Sequence, residues 1–236
     1  MEKLSAKEFD QNYESVMEKF NLALQSVGKT REDVTLLAAT KTVDVDTINY
    51  AISKGITHIG ENKVQELLSK HDYLNVVTEH FIGHLQTNKV KDVIDKVSLV
   101  QSVDSIKLAR EISKQAKKRN IVMDILLEVN IGKEESKWGF LPEETLNAVM
   151  EISTFDNLRI CGLMTIPPIC ENEQTQIKFF REMYNLYVDI REKNIDNTNI
   201  SILSMGMSDD FDLAIREGAN LVRVGTALFG KRNYTF

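Results

Sequence analysis

Along residues 5–27 the apolar positions Phe9, Tyr13, Val16, Met17, Phe20, Leu24 and Val27 recur at helical spacing with polar residues between them. That period predicts an amphipathic helix, with Ser5 as its N-cap and Gly28 as its stop. Beyond residue 30 the pattern changes and begins to repeat. Short apolar, strand-like runs occupy about 35–40, 57–60, 79–83, 98–103, 121–130, 158–165, 199–206 and 221–229, and a helical pattern follows each of the first seven. Val45, Ile48, Ala51 and Ile52 share one helix face before Gly55; Val64, Leu67 and Leu68 mark the next, and Ile106, Leu108, Ala109 and Ile112 the fourth. Pro142 opens the fifth at its first turn, and a long sixth runs from about Gln174 to Lys193. Strands alternating with helices imply a parallel sheet, and eight strands are the number that closes a (β/α)8 TIM barrel; an open doubly wound sheet has the same periodicity. No linker, low-complexity tract or charge block interrupts the series, so residues 1–236 are expected to form a single domain.

Composition narrows the partners more than the fold. The 236 residues are 42% hydrophobic and 27% charged, as in ordinary globular chains. A net charge of −6 argues against a nucleic-acid or anionic-membrane surface, since both need a basic face; small molecules or proteins are left. Cys161 and Cys170 match neither a disulfide framework nor a zinc-ligand spacing, so they read as free structural thiols, and no metal site is expected. The start, Met1-Glu2-Lys3-Leu4-Ser5, has no apolar leader, and no run approaches the ~18 apolar residues of a membrane span. The cytoplasm is the expected location.

Candidate chemistry gathers at the C-terminal ends of the strands, where parallel α/β folds build their sites. The run Leu36-Leu37-Ala38-Ala39-Thr40 delivers Lys41, a candidate Schiff-base residue if it faces a cleft, because a desolvated amine becomes nucleophilic. The second strand ends in Gly60-Glu61-Asn62, the third in a polar loop with His80 and His84, the fifth in Glu128-Val129-Asn130, and the sixth in Met164-Thr165. The last two carry the sharpest signal. Ser204 to Ser208 leads into a helix that Ser208 or Asp209 would cap, and Gly225-Thr226 follows the eighth strand. Glycine-exposed N–H groups with the Ser204 and Thr226 hydroxyls make a phosphate site there, whereas Asp209 and Asp210 read as helix caps. Arg223, two residues before Gly225, points inward, where a guanidinium needs an anion or acceptor. His58 reads as a strand residue with a hydrogen-bonded ring, His84 as satisfied or exposed, and Trp138 and Phe140 as packing a loop on the fifth helix, a lid over the site being the alternative. A Schiff-base lysine facing a phosphate cradle points to pyridoxal 5′-phosphate, which has an aldehyde at one end and a phosphate at the other.

Six motifs then carry a resemblance: Ala39-Thr40-Lys41-Thr42, Gly60-Glu61-Asn62-Lys63-Val64-Gln65-Glu66, His80 to Lys89, Gly162-Leu163-Met164-Thr165-Ile166, Leu203 to Asp209, and Val222-Arg223-Val224-Gly225-Thr226-Ala227-Leu228-Phe229-Gly230. In this order they resemble the YggS/PROSC family of pyridoxal phosphate homeostasis proteins, over nearly the whole chain from about residue 30. The resemblance implies a barrel like that of alanine racemase (fold type III) without its C-terminal β-domain. It implies the cofactor bound as an aldimine on Lys41, with Ser204, Gly225 and Thr226 on the phosphate. Arg223 would lie near the pyridine nitrogen or the phosphate, and Asn62 and Met205 would line the cofactor. It further implies no defined catalysis, a role in balancing pyridoxal phosphate and through it amino and keto acids, possible exchange with apo-enzymes, and a monomer. Many members follow the lysine with a second basic residue and proline; here Val43 and Asp44 stand there, and Lys137 could supply a nearby amine. Two other functions compete. An amino-acid racemase would need a second acid–base group that alanine racemases draw from an additional domain, which a chain ending at Phe236 is expected to lack. A Schiff-base aldolase for sugar phosphates would show no visible cofactor band.

Overall fold

The computed structural model describes residues 4–170 and 172–230; the chain's first three residues, and Phe236 at its end, lie outside them. The strands are β1 (Thr35–Ala39), β2 (His58–Glu61), β3 (Thr78–Phe81), β4 (Leu99–Val103), β5 (Met123–Glu128), β6 (Leu158–Met164), β7 (Thr198–Ser204) and β8 (Leu221–Val224). They pair in sequence order, all parallel, and β1 returns to β8 with Leu37 opposite Arg223 and Ala38 opposite Val224. The barrel is closed, so the open-sheet alternative falls.

The helices are α1 (Ala6–Ser26), α2 (Val45–Ser53), α3 (Val64–Lys70), α4 (Val90–Val93), α5 (Ile106–Arg119), α6 (Pro142–Ile152), α7 (Glu173–Glu192), α8 (Phe211–Arg216) and α9 (Thr226–Phe229). The N-terminal helix forms as its period requires. Ser5 and Glu8 make a reciprocal capping box, worth about 1 kcal/mol, and Gly28 follows the helix at φ +67°. Phe9, Val16, Phe20 and Leu24 are buried, and Asn12 donates to the Leu228 carbonyl at 3.1 Å, fastening α1 beside α9. Pro142 stands in the first turn of α6, as expected.

Two expectations need correction. The eighth strand, read as 221–229, ends at Val224, because the Gly225 carbonyl accepts the N–H groups of Leu228 and Phe229 and turns the apolar run into α9. Leu68, read with Val64 and Leu67, is exposed; the buried stripe of α3 runs instead through Val64, Leu67 and Lys70.

Inside the barrel, Leu37, Ala39, Ile82 and Leu221 form one apolar group and Leu99, Leu126, Cys161 and Met164 another. Gly60 leaves room for this filling: a Cβ there would come 2.7 Å from a Leu37 methyl. Among these apolar groups run buried polar residues, His80, Gln101, Ser204 and Arg223. Barrel interiors are ordinarily layers of branched apolar side chains, so these four residues need a reason.

Candidate functional site

Lys41 stands half-buried where β1 ends, in a tight turn whose Val43 N–H donates to the Thr40 carbonyl at 3.0 Å. Thr40 extends the sheet, its N–H reaching the Gly60 carbonyl at 3.0 Å and its hydroxyl the Glu61 Oε1 at 2.7 Å. Thr42, next after the lysine, has φ +65°, a left-handed conformation that costs a threonine roughly 1–2 kcal/mol. Its N–H donates to Glu66 Oε2 at 2.5 Å. Asn62, at the end of the neighbouring strand, has a buried side-chain Oδ1 with no hydrogen-bond partner among the described residues.

On the β8 flank of β1, Gly206 makes the turn after β7 at φ +90° and carries the chain back over β8. Ser208 Oγ there accepts the N–H groups of Gly225 at 3.2 Å and Ala227 at 3.1 Å. A single oxygen is thus held by two converging backbone donors where α9 begins. Ser208 does not cap α8; Asp210 stands at that cap and instead accepts from the Met207 N–H at 2.6 Å and from Gln176 at 3.0 Å. Thr226 is exposed beside this loop, and Gly225 is buried.

Ser204 lies deeper than expected. It is fully buried and its hydroxyl is committed, accepting from Arg223 Nη1 at 2.5 Å and donating to Gln101 Oε1 at 2.7 Å. Arg223 Nη2 donates to the Thr165 carbonyl at 2.8 Å. Burial lowers the guanidinium to about 10, against the pull of Glu128 and Asp210. Gln101 passes the chain on to His80 Nδ1 at 2.8 Å. Because arginine only donates, the one Ser204 proton goes to Gln101, whose amide nitrogen then donates to His80. His80 must accept, so it is neutral, in agreement with burial and the nearby His58 lowering it to about 3. Sequence reasoning missed Gln101 and His80, which continue the network from Arg223 by way of Ser204. Met205 is fully buried in the core.

Glu128, at the end of β5 and so opposite β1, is raised to about 7, chiefly by burial and then by Asp104, while Arg223 and Lys137 pull it down. Lys137 pairs with Glu134 and donates to the Ile166 carbonyl at 3.3 Å. His84 is satisfied by Asp104 Oδ2 at 2.9 Å, and its ring stacks on Trp138 at 4.1 Å. Trp138 is therefore an exposed residue stacked on the β3 loop, not a packing residue on the following helix. Phe140 is half-buried, its N–H donating to the Glu128 carbonyl and its carbonyl accepting from the Asn130 N–H. His58 bonds to Thr57 at 2.9 Å, as read. Both cysteines are free, and burial pushes the Cys161 thiol up to about 11. Among the described residues no group of three potential ligands could hold a metal, and no helix is long and apolar enough to cross a membrane.

Comparison with known proteins converges on one family. The model of the alanine racemase N-terminal domain matches residues 13–233. A pyridoxal phosphate homeostasis protein of Aquifex aeolicus is 43% identical over 221 residues, covering 93% of this chain and 96% of the relative. The structure of PipY from Synechococcus elongatus with PLP bound superposes with a TM-score of 0.78 at 30% identity, over 88% of this chain and 98% of that one. Alanine racemase of Clostridium difficile shares the fold, with a TM-score of 0.72 at 17% identity over 92% of this chain and 57% of that one.

Proposed function

This chain belongs to the family of pyridoxal phosphate homeostasis proteins, and from that membership we propose that it binds pyridoxal 5′-phosphate at the barrel mouth and holds it in reserve without turnover. The cofactor supplies an aldehyde that condenses with an amine, releasing water, and a phosphate with strong acceptor oxygens. The observation that carries the reading is Ser208 Oγ between the N–H groups of Gly225 and Ala227, an arrangement of donors that suits phosphate oxygens. In this reading Ser208, Gly225 and Thr226 hold the phosphate. The hydroxyl expected from Ser204 passes to Ser208, since that of Ser204 is committed below the mouth. Lys41 supplies the amine from the end of β1, the strand beside β8. The unpartnered Asn62 Oδ1 fits a role lining the cofactor, and Met205 closes the core beneath.

Arg223 is assigned to the ring nitrogen rather than the phosphate, because Ser204 and Thr165 hold its guanidinium away from the Ser208 cradle. A guanidinium cannot accept the proton that an acidic partner would keep on the ring, which weakens the ring as an electron sink. The bound cofactor is accordingly stored, acting through a cytoplasmic monomer that exchanges it with apo-enzymes and so balances amino and keto acids.

An amino-acid racemase is the competing reading, and Glu128, poised near neutrality at the mouth, is the group that would serve it. Deuterium wash-in at the α-carbon of L-alanine and L-serine, followed by NMR with free cofactor as control, separates the two. Storage predicts exchange no faster than the control; exchange at ~1 s⁻¹ or above would establish turnover.

A further inference from the structure

Helix α3 buries an ammonium. Lys70, on the same stripe as Val64 and Leu67, is 8% exposed, and its Nζ donates to three oxygens: the Thr40 carbonyl at 3.0 Å, Glu61 Oε1 at 2.8 Å and Glu66 Oε2 at 3.0 Å. Each carboxylate reaches the turn that carries Lys41. Glu61 Oε1 also accepts the Thr40 hydroxyl, and Glu66 Oε2 also accepts the Thr42 N–H. The residues on both sides of Lys41 are thereby tied to one buried cation.

This cluster is poorly explained as a stabilising device. Ion pairs taken out of water recover their desolvation cost only when every polar atom is satisfied. Here burial raises the Glu61 carboxyl despite Lys70, and Glu61 Oε2 has no hydrogen-bond partner among the described residues. The cluster also holds Thr42 at φ +65°, and backbone strain of this kind persists where surrounding contacts over-determine it.

We propose that Lys70, through Glu61 and Glu66, is a positioning residue that fixes the turn so that the Lys41 amine is presented to the cofactor's aldehyde; the inference rests on the cofactor reading above. It acts on covalent capture and not on the phosphate cradle: Lys70 and its two carboxylates hold Thr40 and Thr42 from the β2 flank of β1, whereas the cradle follows β7 and β8 on the other flank.

The test compares two ligands on the full chain. Pyridoxine 5′-phosphate has the ring and phosphate of the cofactor but an alcohol in place of the aldehyde, so it cannot bond to an amine. Lys70→Met should bind pyridoxine 5′-phosphate within about twofold of the parent, while its affinity for pyridoxal 5′-phosphate falls about tenfold or more, as expected for a nucleophile misplaced by a fraction of an ångström. Glu66→Gln, at a less buried position, should show the same split and carries the test if Lys70→Met does not fold. Equal losses for both ligands would make Lys70 a purely structural residue, and no loss for either would remove it from the site; both overturn the proposal. A parent that binds neither ligand refutes the cofactor reading itself, a result distinct from both.

Discussion

On the β1 side of the mouth, Lys41 is set by charged side chains acting on a strained turn, with Lys70, Glu61 and Glu66 holding Thr40 and Thr42. On the β7–β8 side, the candidate anion cradle is made of neutral groups, two backbone N–H donors converging on Ser208 Oγ. On the proposed function, the difference follows from what each side must do. A phosphate brings its own charge, so the protein needs only directed donors, and these cost little desolvation because the backbone supplies them. A lysine amine brings no geometry of its own; four rotatable bonds must be aimed from a fixed backbone, and rigid fixing takes stronger, charge-assisted bonds.

Ser208 and Ser204, four residues apart, break this comparison most sharply. Ser208→Ala should weaken retention of both pyridoxal 5′-phosphate and pyridoxine 5′-phosphate by about tenfold, as for the loss of one charge-assisted hydrogen bond worth ~1.5–3 kcal/mol, with little change in melting temperature. Ser204→Ala should do the reverse in stability, costing about 1–3 kcal/mol because Arg223 and Gln101 lose a buried partner. Denaturant unfolding and ligand titration of the two variants, side by side, check both. Equal effects of the two on retention would erase the distinction between cradle and floor.

A smaller effect is expected at Glu128. Its carboxyl is raised from the ordinary value near 4.5 to about 7, so the unfolded chain releases that proton first. The folded state is therefore penalised progressively as pH rises from about 4.5 to 7, and the penalty is complete above 7. Glu128→Gln abolishes it. Urea unfolding should show no gain over the parent at pH 4 and a gain of about 1–2 kcal/mol at pH 8. A gain of the same size at both pH values would show that packing, not charge, is responsible.

Much of this architecture was legible in the sequence because parallel strands buried on both faces read as continuous apolar runs, and the runs were spaced by helices. The reading failed where composition is ambiguous. Thr226-Ala227-Leu228-Phe229 is as apolar as a strand, and only the Gly225 carbonyl, bonded to Leu228 and Phe229, makes it a helix. At the candidate site, the strand pattern puts Lys41, Arg223, Gly225 and Thr226 at or just beyond the ends of β1 and β8, which is where they stand. The sequence does not show that the Ser204 hydroxyl is committed below the mouth while that of Ser208 returns over β8, because a glycine such as Gly206 does not give its φ in sequence. Lys70 left a trace that was passed over: it continues the Val64–Leu67 stripe, where a charged residue is ordinarily taken as surface.

On the proposed function, one end of the ligand is captured covalently at Lys41 while the other rests on Ser208 and Gly225. Borohydride reduction of the protein loaded with pyridoxal 5′-phosphate, followed by peptide mapping, tests it directly. The reduced adduct should lie on the peptide containing Lys41 and disappear in Lys41→Ala while pyridoxine 5′-phosphate still binds. An adduct on Lys70, Lys137 or any other lysine of the parent protein would contradict it.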